Sequence, residues 1–312
     1  MIFQEDFFNL YDNLNLEKDC QNNYALYARL LTGCLNYRKI TKGSYCDEMI
    51  EKCFEKLIKD CDIDQDGLVG WGKNEPTDYF QDGSINPKNT EYAFQTSLVL
   101  EALLNYCEIY SNTRAFDIIE KAFKPYLKHS TPLGLLPYSF EKDDMKYDVI
   151  NTSSMIMAQM QRFYKITKNN SYKTVADRVY ENILKNKIEK YVGWVWLYGL
   201  QDLWTNKENL NDLSHLLFTL EGIYNYGKYG GSLFEYNHWR KSTNGIYNYY
   251  VNNEFVERFN KNKNFVPINS AYYVYFFSRY KLLNYLNICH DLVENNKSGN
   301  VLKFQSFSFY LF

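Results

Sequence analysis

Residues 92–106 read YAFQTSLVLEALLNY, and this stretch decides the class of fold. A helix built from it carries apolar side chains on nearly every side, which is typical of a helix packed on several faces. Residues 115–128, AFDIIEKAFKPYLK, follow shortly afterwards. Here apolar residues recur every three or four positions with Lys and Glu between them, which predicts an amphipathic helix with one wet face. The two stretches together predict a helical hairpin with one buried and one outer helix.

The same pattern recurs along the chain. Buried helices are predicted at residues 24–37, 152–166, 213–226 and 270–283, and amphipathic partners at 45–59 and 172–185. A glycine followed by apolar residues and an aromatic comes after the outer helices, at residues 67–71, 134–138, 193–197 and 245–249. We expect each of these segments to be a short extended stretch. The repeat lasts about 60 residues and occurs about five times.

Repeated hairpins either stack as an open solenoid or close into a ring. Long, aromatic-rich loops favour closure, because open helical solenoids have short turns and shorter periods. We therefore predict an all-α fold, an (α/α) toroid of about five to six helical hairpins with short strands. The long loops should gather at one end, over the first turns of the buried helices. Residues 1–312 are predicted to form a single domain.

Composition excludes several classes of protein. The chain has 30 Tyr and 21 Phe, is 46% hydrophobic and has a net charge of −2. A disordered chain is poor in aromatics, so disorder is excluded. The balanced charge favours neither nucleic acid nor an acidic membrane surface as a partner. No uncharged apolar run is long enough for a membrane span.

The termini and cysteines suggest a cytoplasmic location. The first residues carry acids and no apolar leader, which is unlike a secretory signal. Seven cysteines are irregularly spaced with no CxxC pair, which favours reduced thiols over disulfides or a metal site. We expect no cofactor and no metal, and the sequence leaves the oligomeric state open.

Two short segments carry a family resemblance: DQDGLVGWG at residues 64–72 and NDLSH at 211–215. Together with the alternating helices, they resemble the six-hairpin glycosidase superfamily. The resemblance implies an (α/α) toroid and carbohydrate chemistry, which in that superfamily means glycoside hydrolases, some polysaccharide lyases and some sugar epimerases. The chain matches no complete active-site signature of one family, so the resemblance implies no particular reaction.

The loop at residues 62–89 is rich in acids. Asp62, Asp64 and Asp66 occupy positions 1, 3 and 5 of a calcium loop, but Lys73 stands at position 12, where an EF-hand needs Glu. Three interpretations remain open. The acids build a tight turn, they hold calcium in another geometry, or they line a sugar site in which Asp64 or Asp66 acts as acid or base.

Four further candidates for catalysis stand at the starts of buried helices, where a toroid opens its cleft: Glu91, Asp148, Asp212 and His215. A carboxylate among aromatics there would have the raised pKa of a general acid. Asp212 and His215 are three residues apart and share a helix face. Each also has a structural alternative: a favourable helix dipole for Glu91, an N-cap for Asp148, and a buried, hydrogen-bonded histidine for His215.

A set of aromatic and polar side chains is predicted to bind substrate, because sugar rings stack on aromatic faces and polar edges bind hydroxyls. The set comprises Trp71, Tyr92, Tyr138, Asn151, Trp194, Trp196, His238 and Trp239. The alternative is that the aromatics fill seams between hairpins and that Asn151 is an N-cap. Arg29, Arg162 and Arg240 are the basic residues that would bind an acidic sugar.

The leading functional hypothesis is a glycoside hydrolase that uses paired carboxylates on an oligosaccharide or polysaccharide. The alternative is a sugar or uronate epimerase in which His215 or a tyrosine moves a proton. A third hypothesis is a glycan-binding or scaffold toroid without catalysis. All three expect a carbohydrate ligand, and none specifies the sugar or linkage.

Overall fold

A computed structural model describes residues 16, 23–190, 192–200 and 213–251. Apart from residue 16, these residues fall into two compact units, residues 23–57 and residues 58–251. The single-domain organisation stays a prediction. The first unit contains α1, Tyr24–Thr41, and most of α2, Asp47–Lys59. Asn23 caps α1 by accepting a hydrogen bond from the Leu26 amide at 3.3 Å. No helix within the described residues has the length and apolar character needed to cross a membrane.

The second unit is built from three helical hairpins. Their helices are α3, Ala93–Tyr110, with α4, Thr113–Lys128; α5, Ile150–Thr167, with α6, Asn170–Lys185; and α7, Leu213–Lys228, with α8, Tyr236–Val251. Two short antiparallel strands, β1 (Ile188–Lys190) and β2 (Gly193–Val195), follow α6, and a 3₁₀ turn spans Asp144–Lys146. The predicted buried helix at residues 270–283 lies outside the described residues.

Short polar turns separate the helices of a hairpin, at Ser111–Asn112 and at Asn169–Ser171, where the sequence offers short polar side chains that cap the next helix. Ser111 ends α3 in a left-handed conformation, and the Asn112 side chain then accepts a hydrogen bond from the Ala115 amide at 3.0 Å. Lys168 and Asn169 do the same between α5 and α6. A left-handed residue stops one helix and the following Asn caps the next, so the chain reverses in two residues.

The inner helices α3, α5 and α7 pack in order and run parallel. Contacts between α3 and α5 join residues 58 apart near one end and 57 apart near the other, through Ser97–Met155 and Asn105–Arg162. Contacts between α5 and α7 join residues 64 and 68 apart, through Ser154–Phe218 and Gln161–Tyr229. Because each separation changes little along the helices, their first turns lie at the same end.

The glycine-aromatic segments follow the prediction only in part. Residues 193–195 form β2, whereas residues 245–249 lie inside α8, so the predicted extended stretch is wrong there. Gly245 serves another purpose: a β-carbon at this position would lie 2.3 Å from the Trp194 carbonyl oxygen. The glycine therefore lets α8 pack directly on β2.

The segments at residues 67–71 and 134–138 form no strand. Instead, the Trp71 amide donates to the Thr96 hydroxyl at 3.2 Å, and the Leu136 amide donates to the Ser153 hydroxyl at 3.2 Å. Thr96 and Ser153 are each the fourth residue of an inner helix. The same device thus fastens two successive segments to the first turn of the next inner helix.

Candidate active site at the heads of the inner helices

Backbone hydrogen bonds bring aromatic residues to the first turns of α3 and α5. The Ala93 amide, at the start of α3, donates to the Tyr138 carbonyl at 2.7 Å. The Ile150 amide, at the start of α5, donates to the Tyr198 carbonyl at 3.2 Å. These carbonyls satisfy amides that a helix leaves free at its N-terminus. The chain that leaves each outer helix therefore returns to the head of its own inner helix.

Five rings form an aromatic cluster at this end: Tyr79, Phe80, Tyr92, Tyr138 and Tyr147. The Tyr79 ring lies 4.4 Å from that of Tyr138 and 5.1 Å from that of Tyr92, between centroids. Tyr92 and Tyr138 are each only 1% exposed, whereas Tyr79 is half-buried. The two tyrosines that the sequence proposed for substrate binding therefore support the cluster, and Tyr79 is the member that remains accessible.

A polar network holds the aromatic cluster in place. Asn86 donates to the Tyr92 hydroxyl at 3.2 Å and to the Asp144 carboxylate at 2.6 Å. The Ser139 hydroxyl also donates to Asp144, at 2.6 Å. Burial raises the pKa of Asp144, while these two donors act in the opposite direction. The loop before α3 and the loop before α5 are thereby joined.

A second aromatic group, the rim, consists of Phe94, Tyr198, His215 and Phe218, all half-buried. The rings of Tyr198 and His215 make an edge-to-face contact, with centroids 4.8 Å apart. The rings of Phe94 and Phe218 make a similar contact, with centroids 5.2 Å apart. The helix registers place the Phe94–Phe218 pair at the level of the first turn of α5. The rim thus spans the heads of α3, α5 and α7.

The acids at the candidate site form a separate group. Oxygens of Asp62, Asp64 and Asp66 all lie within 4.8 Å of one another, and Asp64 and Asp66 are exposed. Burial and the neighbouring charge of Asp66 raise the pKa of Asp64. Carboxylates at this spacing are able to hold a divalent cation, so the calcium interpretation of the loop stays open alongside the catalytic one.

Glu91 completes the acidic group. It is 5% exposed, and its side chain makes no hydrogen bond to another side chain among the described residues. Burial raises the pKa of Glu91 to about 8, helped by the charges of Asp64, Asp66 and Asp62. The Gly70 amide donates to the Cys61 carbonyl at 2.8 Å, which closes the aspartate loop beside Glu91. A carboxyl of this kind stays protonated at neutral pH.

Asp148 does not join the acids around Glu91. It is fully buried, and its carboxylate accepts hydrogen bonds from the Thr131 hydroxyl and from the Leu133 amide, the latter at 3.2 Å. These contacts anchor the loop after α4 and are those of a structural residue. Asp212 lies outside the described residues, so its pairing with His215 stays a prediction.

Trp194, Trp196, Trp239 and His238 contact α6, α7 and α8, whereas Trp71 lies at the head of α3, where the Tyr92 amide donates to its carbonyl at 3.1 Å. Trp196 donates through Nε1 to the Ile183 carbonyl of α6 at 2.8 Å, and Trp239 packs on Tyr224 at 4.9 Å. His238, at the start of α8, meets Trp194 at 5.3 Å and bonds the Tyr180 hydroxyl at 3.0 Å. Trp71 is 1% exposed. Trp194 packs between two hairpins, whereas Trp196 and Trp239 pack within their own hairpins, and a role in substrate binding stays a prediction for all of them.

Asn151 occupies the second position of α5 and is 1% exposed. It therefore lies inside the helix and is not the predicted N-cap, a position that Val149 holds. Sequence reasoning missed Tyr79, Phe94 and Phe218. A signal existed for Phe218, because it follows His215 by three residues and so shares its helix face.

No protein-family model matches the sequence, and no curated protein matches it. Solved structures do. The chain is similar to a cellobiose 2-epimerase from Bacillus thermoamylovorans, with 12% identity, a TM-score of 0.59, and coverage of 89% of this chain and 78% of that one. It is also similar to an alpha-amylase from Clostridium perfringens, with 13% identity, a TM-score of 0.54, and coverage of 92% and 85%. The Lin0763 protein from Listeria innocua gives 9% identity and a TM-score of 0.57, with coverage of 92% and 84%.

These similarities confirm the predicted fold class. They extend over most of the chain, and at these low sequence identities they establish the architecture alone. The described part of the chain is helical, with two three-residue strands, as the prediction required. The protein therefore has an all-α, (α/α) toroid fold.

Proposed function

We propose that this protein is a carbohydrate-active enzyme and that its reaction is glycoside hydrolysis. Glu91 is the general acid, and Asp64 or Asp66 is the base. The observation that carries the proposal is the buried carboxyl of Glu91, whose pKa of about 8 contrasts with the exposed aspartates beside it. Two carboxyl groups with different environments are what glycoside hydrolysis needs.

The chemistry assigns each group one task. Glu91 holds a proton at neutral pH and gives it to the glycosidic oxygen as the bond to the anomeric carbon breaks. Water attacks that carbon, and an aspartate takes the proton that the water loses. The aspartate then releases its proton to solvent, and Glu91 regains one. In an inverting enzyme the two carboxyl groups stand about 6.5–9.5 Å apart, whereas a retaining enzyme needs about 5 Å.

The aromatic residues support a sugar ligand. Tyr79, Tyr198 and Phe218 are half-buried and stand at the end of the hairpins where the inner helices begin. Half-exposed rings offer the apolar faces on which sugars stack, and the tyrosine hydroxyls offer hydrogen bonds. The similarity in fold to an alpha-amylase and to a cellobiose 2-epimerase agrees with this class of ligand.

Epimerisation is the second candidate, and a specific contact favours it. His215 meets the edge of Tyr198 at 4.8 Å at the head of α7. In such a reaction one of these residues takes a proton from a sugar carbon, and a second group returns a proton to the opposite face. A glycan-binding protein without catalysis is the third possibility.

A panel of oligosaccharides incubated in deuterium oxide separates the three. Hydrolysis yields new reducing ends, epimerisation yields deuterium on a sugar carbon without cleavage, and binding alone yields neither. We expect hydrolysis that falls by about 10²–10⁴-fold in Glu91→Gln. Glu101→Gln is the matched control, because Glu101 is also a buried carboxyl but lies in the middle of α3. Equal losses in the two variants, or cleavage that survives in Glu91→Gln, would contradict the role of Glu91.

A further inference from the structure

We propose that this site takes an uncharged glycan and rejects sugars that carry carboxylates. The inference rests on the carbohydrate function proposed above and specifies its substrate class. Three observations carry it: the charge of one loop, the positions of the arginines, and a set of buried oxygen acceptors.

Negative charge is concentrated at the candidate site. Residues 60–92 contain eight acidic residues and two lysines, although the whole chain has a net charge of only −2. Because Glu91 is protonated at neutral pH, seven of the eight carry a negative charge. This segment includes the aspartate loop and Glu91, and its Tyr79 and Phe80 pack in the aromatic cluster. Charges within about 8 Å act on a ligand with little screening at physiological salt. A uronate placed here meets an excess of like charge, which costs affinity, while a neutral sugar does not.

Two of the arginines that the sequence offered to an acidic sugar, Arg162 and Arg240, hydrogen-bond to neighbouring side chains. Arg162 is 3% exposed and donates to Glu108 at 2.6 Å and to Asn105 at 2.8 Å, late in α5. Arg240 lies on α8, where it donates to Asn237 at 3.1 Å. Arg29 belongs to the other compact unit. The planar fork that binds carboxylates most strongly is therefore missing from the described helix heads of this unit.

Two lysines lie on rings of the aromatic cluster. The Lys73 ammonium is 5.0 Å from the Tyr79 ring centroid, and the Lys146 ammonium is 4.8 Å from the Tyr147 centroid. Lys146 also forms a salt bridge with Asp82 at 3.0 Å, so it compensates one acid of the loop. The charged acids of residues 60–92 still outnumber the lysines around them, and the local balance stays negative.

Buried oxygen atoms at the first turns lack donors. Among the described residues, Gln95 Oε1, Asn151 Oδ1 and Thr152 Oγ1 are buried without a hydrogen-bond partner. Asn151 lies on the face of α5 between the residues that contact α3 and those that contact α7, at the level of the Phe94–Phe218 pair. An amide oxygen needs a donor. The C6 hydroxyl of a neutral sugar donates, whereas the C6 carboxylate of the matching uronate only accepts.

Matched trisaccharides test the inference. Cellotriose and maltotriose are compared by calorimetry with the same sugars oxidised at C6 to uronates, using the full chain. We expect the better neutral sugar to bind at least about tenfold more tightly than its uronate at low salt. Raising the salt concentration should narrow this ratio by strengthening uronate binding, while the neutral affinity stays constant.

A charge-reversed variant locates the effect. Glu75 is exposed in the acidic loop, and Glu181 is exposed on α6, so Glu75→Lys and Glu181→Lys change the net charge equally. We expect only Glu75→Lys to raise uronate affinity, by about threefold or more. Equal effects of the two variants, or uronates that bind as tightly as neutral sugars, overturn the inference and leave the proposed function standing. Binding of neither sugar class overturns both.

Discussion

Glu91 packs directly against the bare α-carbon of Gly70. A β-carbon on residue 70 would lie 2.5 Å from Glu91 Cγ and 3.1 Å from Thr96 Oγ1. The absence of a side chain at Gly70 therefore creates the space in which the carboxyl of Glu91 is buried.

Gly70→Ala should displace Glu91. We expect a loss of about 1–3 kcal/mol in the free energy of unfolding, because the added methyl group overpacks the site. The displaced carboxyl should also regain solvent, so its pKa falls and the alkaline limb of the activity profile moves to lower pH. Gly43→Ala is the control, since its β-carbon meets only Thr41 Oγ1 at 3.4 Å. An unchanged pH profile in Gly70→Ala would show that Glu91 does not set it.

Glu91 should also make stability depend on pH. Its pKa is about 8 in the folded protein, against an ordinary value of 4.5. Between these values the folded chain holds a proton that the unfolded chain releases, so stability is highest below 4.5 and falls as the pH rises to about 8. Urea unfolding at several pH values measures this slope, and Glu91→Gln should flatten it. A slope that persists in the variant would assign the effect to another group.

Asp148 should prove structural. Asp148→Ala leaves the Thr131 hydroxyl and the Leu133 amide without their acceptor, which should cost about 2–4 kcal/mol of unfolding free energy. Activity per folded molecule should change little. The exposed Asp143→Ala serves as the control and should alter neither quantity. If Asp148→Ala instead keeps its melting temperature and loses turnover, the residue is catalytic.

Tyr198 distinguishes stacking from proton transfer. If the ring only stacks on sugar, Tyr198→Phe should behave like the wild type and Tyr198→Ala should raise KM about threefold to tenfold. If the hydroxyl moves a proton with His215, Tyr198→Phe and His215→Ala should both lower kcat strongly. Steady-state kinetics decides between these outcomes. Tyr236→Ala removes an exposed ring on α8 and should affect neither parameter.

The helices were readable from the sequence because their apolar periodicity is strong and their turns carry capping residues. Ser111, Asn112 and Asn169 mark reversals that the structure confirms. The prediction at Gly245 was wrong because the sequence does not distinguish a glycine needed for close helix–strand packing from one that begins a turn. Local patterns do not record which element lies opposite.

The candidate site was harder to read for a similar reason. Glu91 and the aspartate loop were identified from residue type and position, and the structure brings them together. The positions of Trp194 and Trp196 in the repeat predicted a role in substrate binding, yet these residues pack against α8 and α6. Tyr79 became visible as a site residue only through contacts with residues distant in sequence.

The carbonyls of Tyr138 and Tyr198 also bear on how the chain is made. Each carbonyl accepts a hydrogen bond from the first amide of its hairpin's inner helix, yet each is synthesised only after the outer helix is complete. A hairpin therefore remains open at its head until that residue leaves the ribosome, and in the case of Tyr138 its segment is then held further by Asp148 and Ser153 as they follow. We expect the ring to assemble during translation in discrete steps, one hairpin at a time, from the N-terminal side.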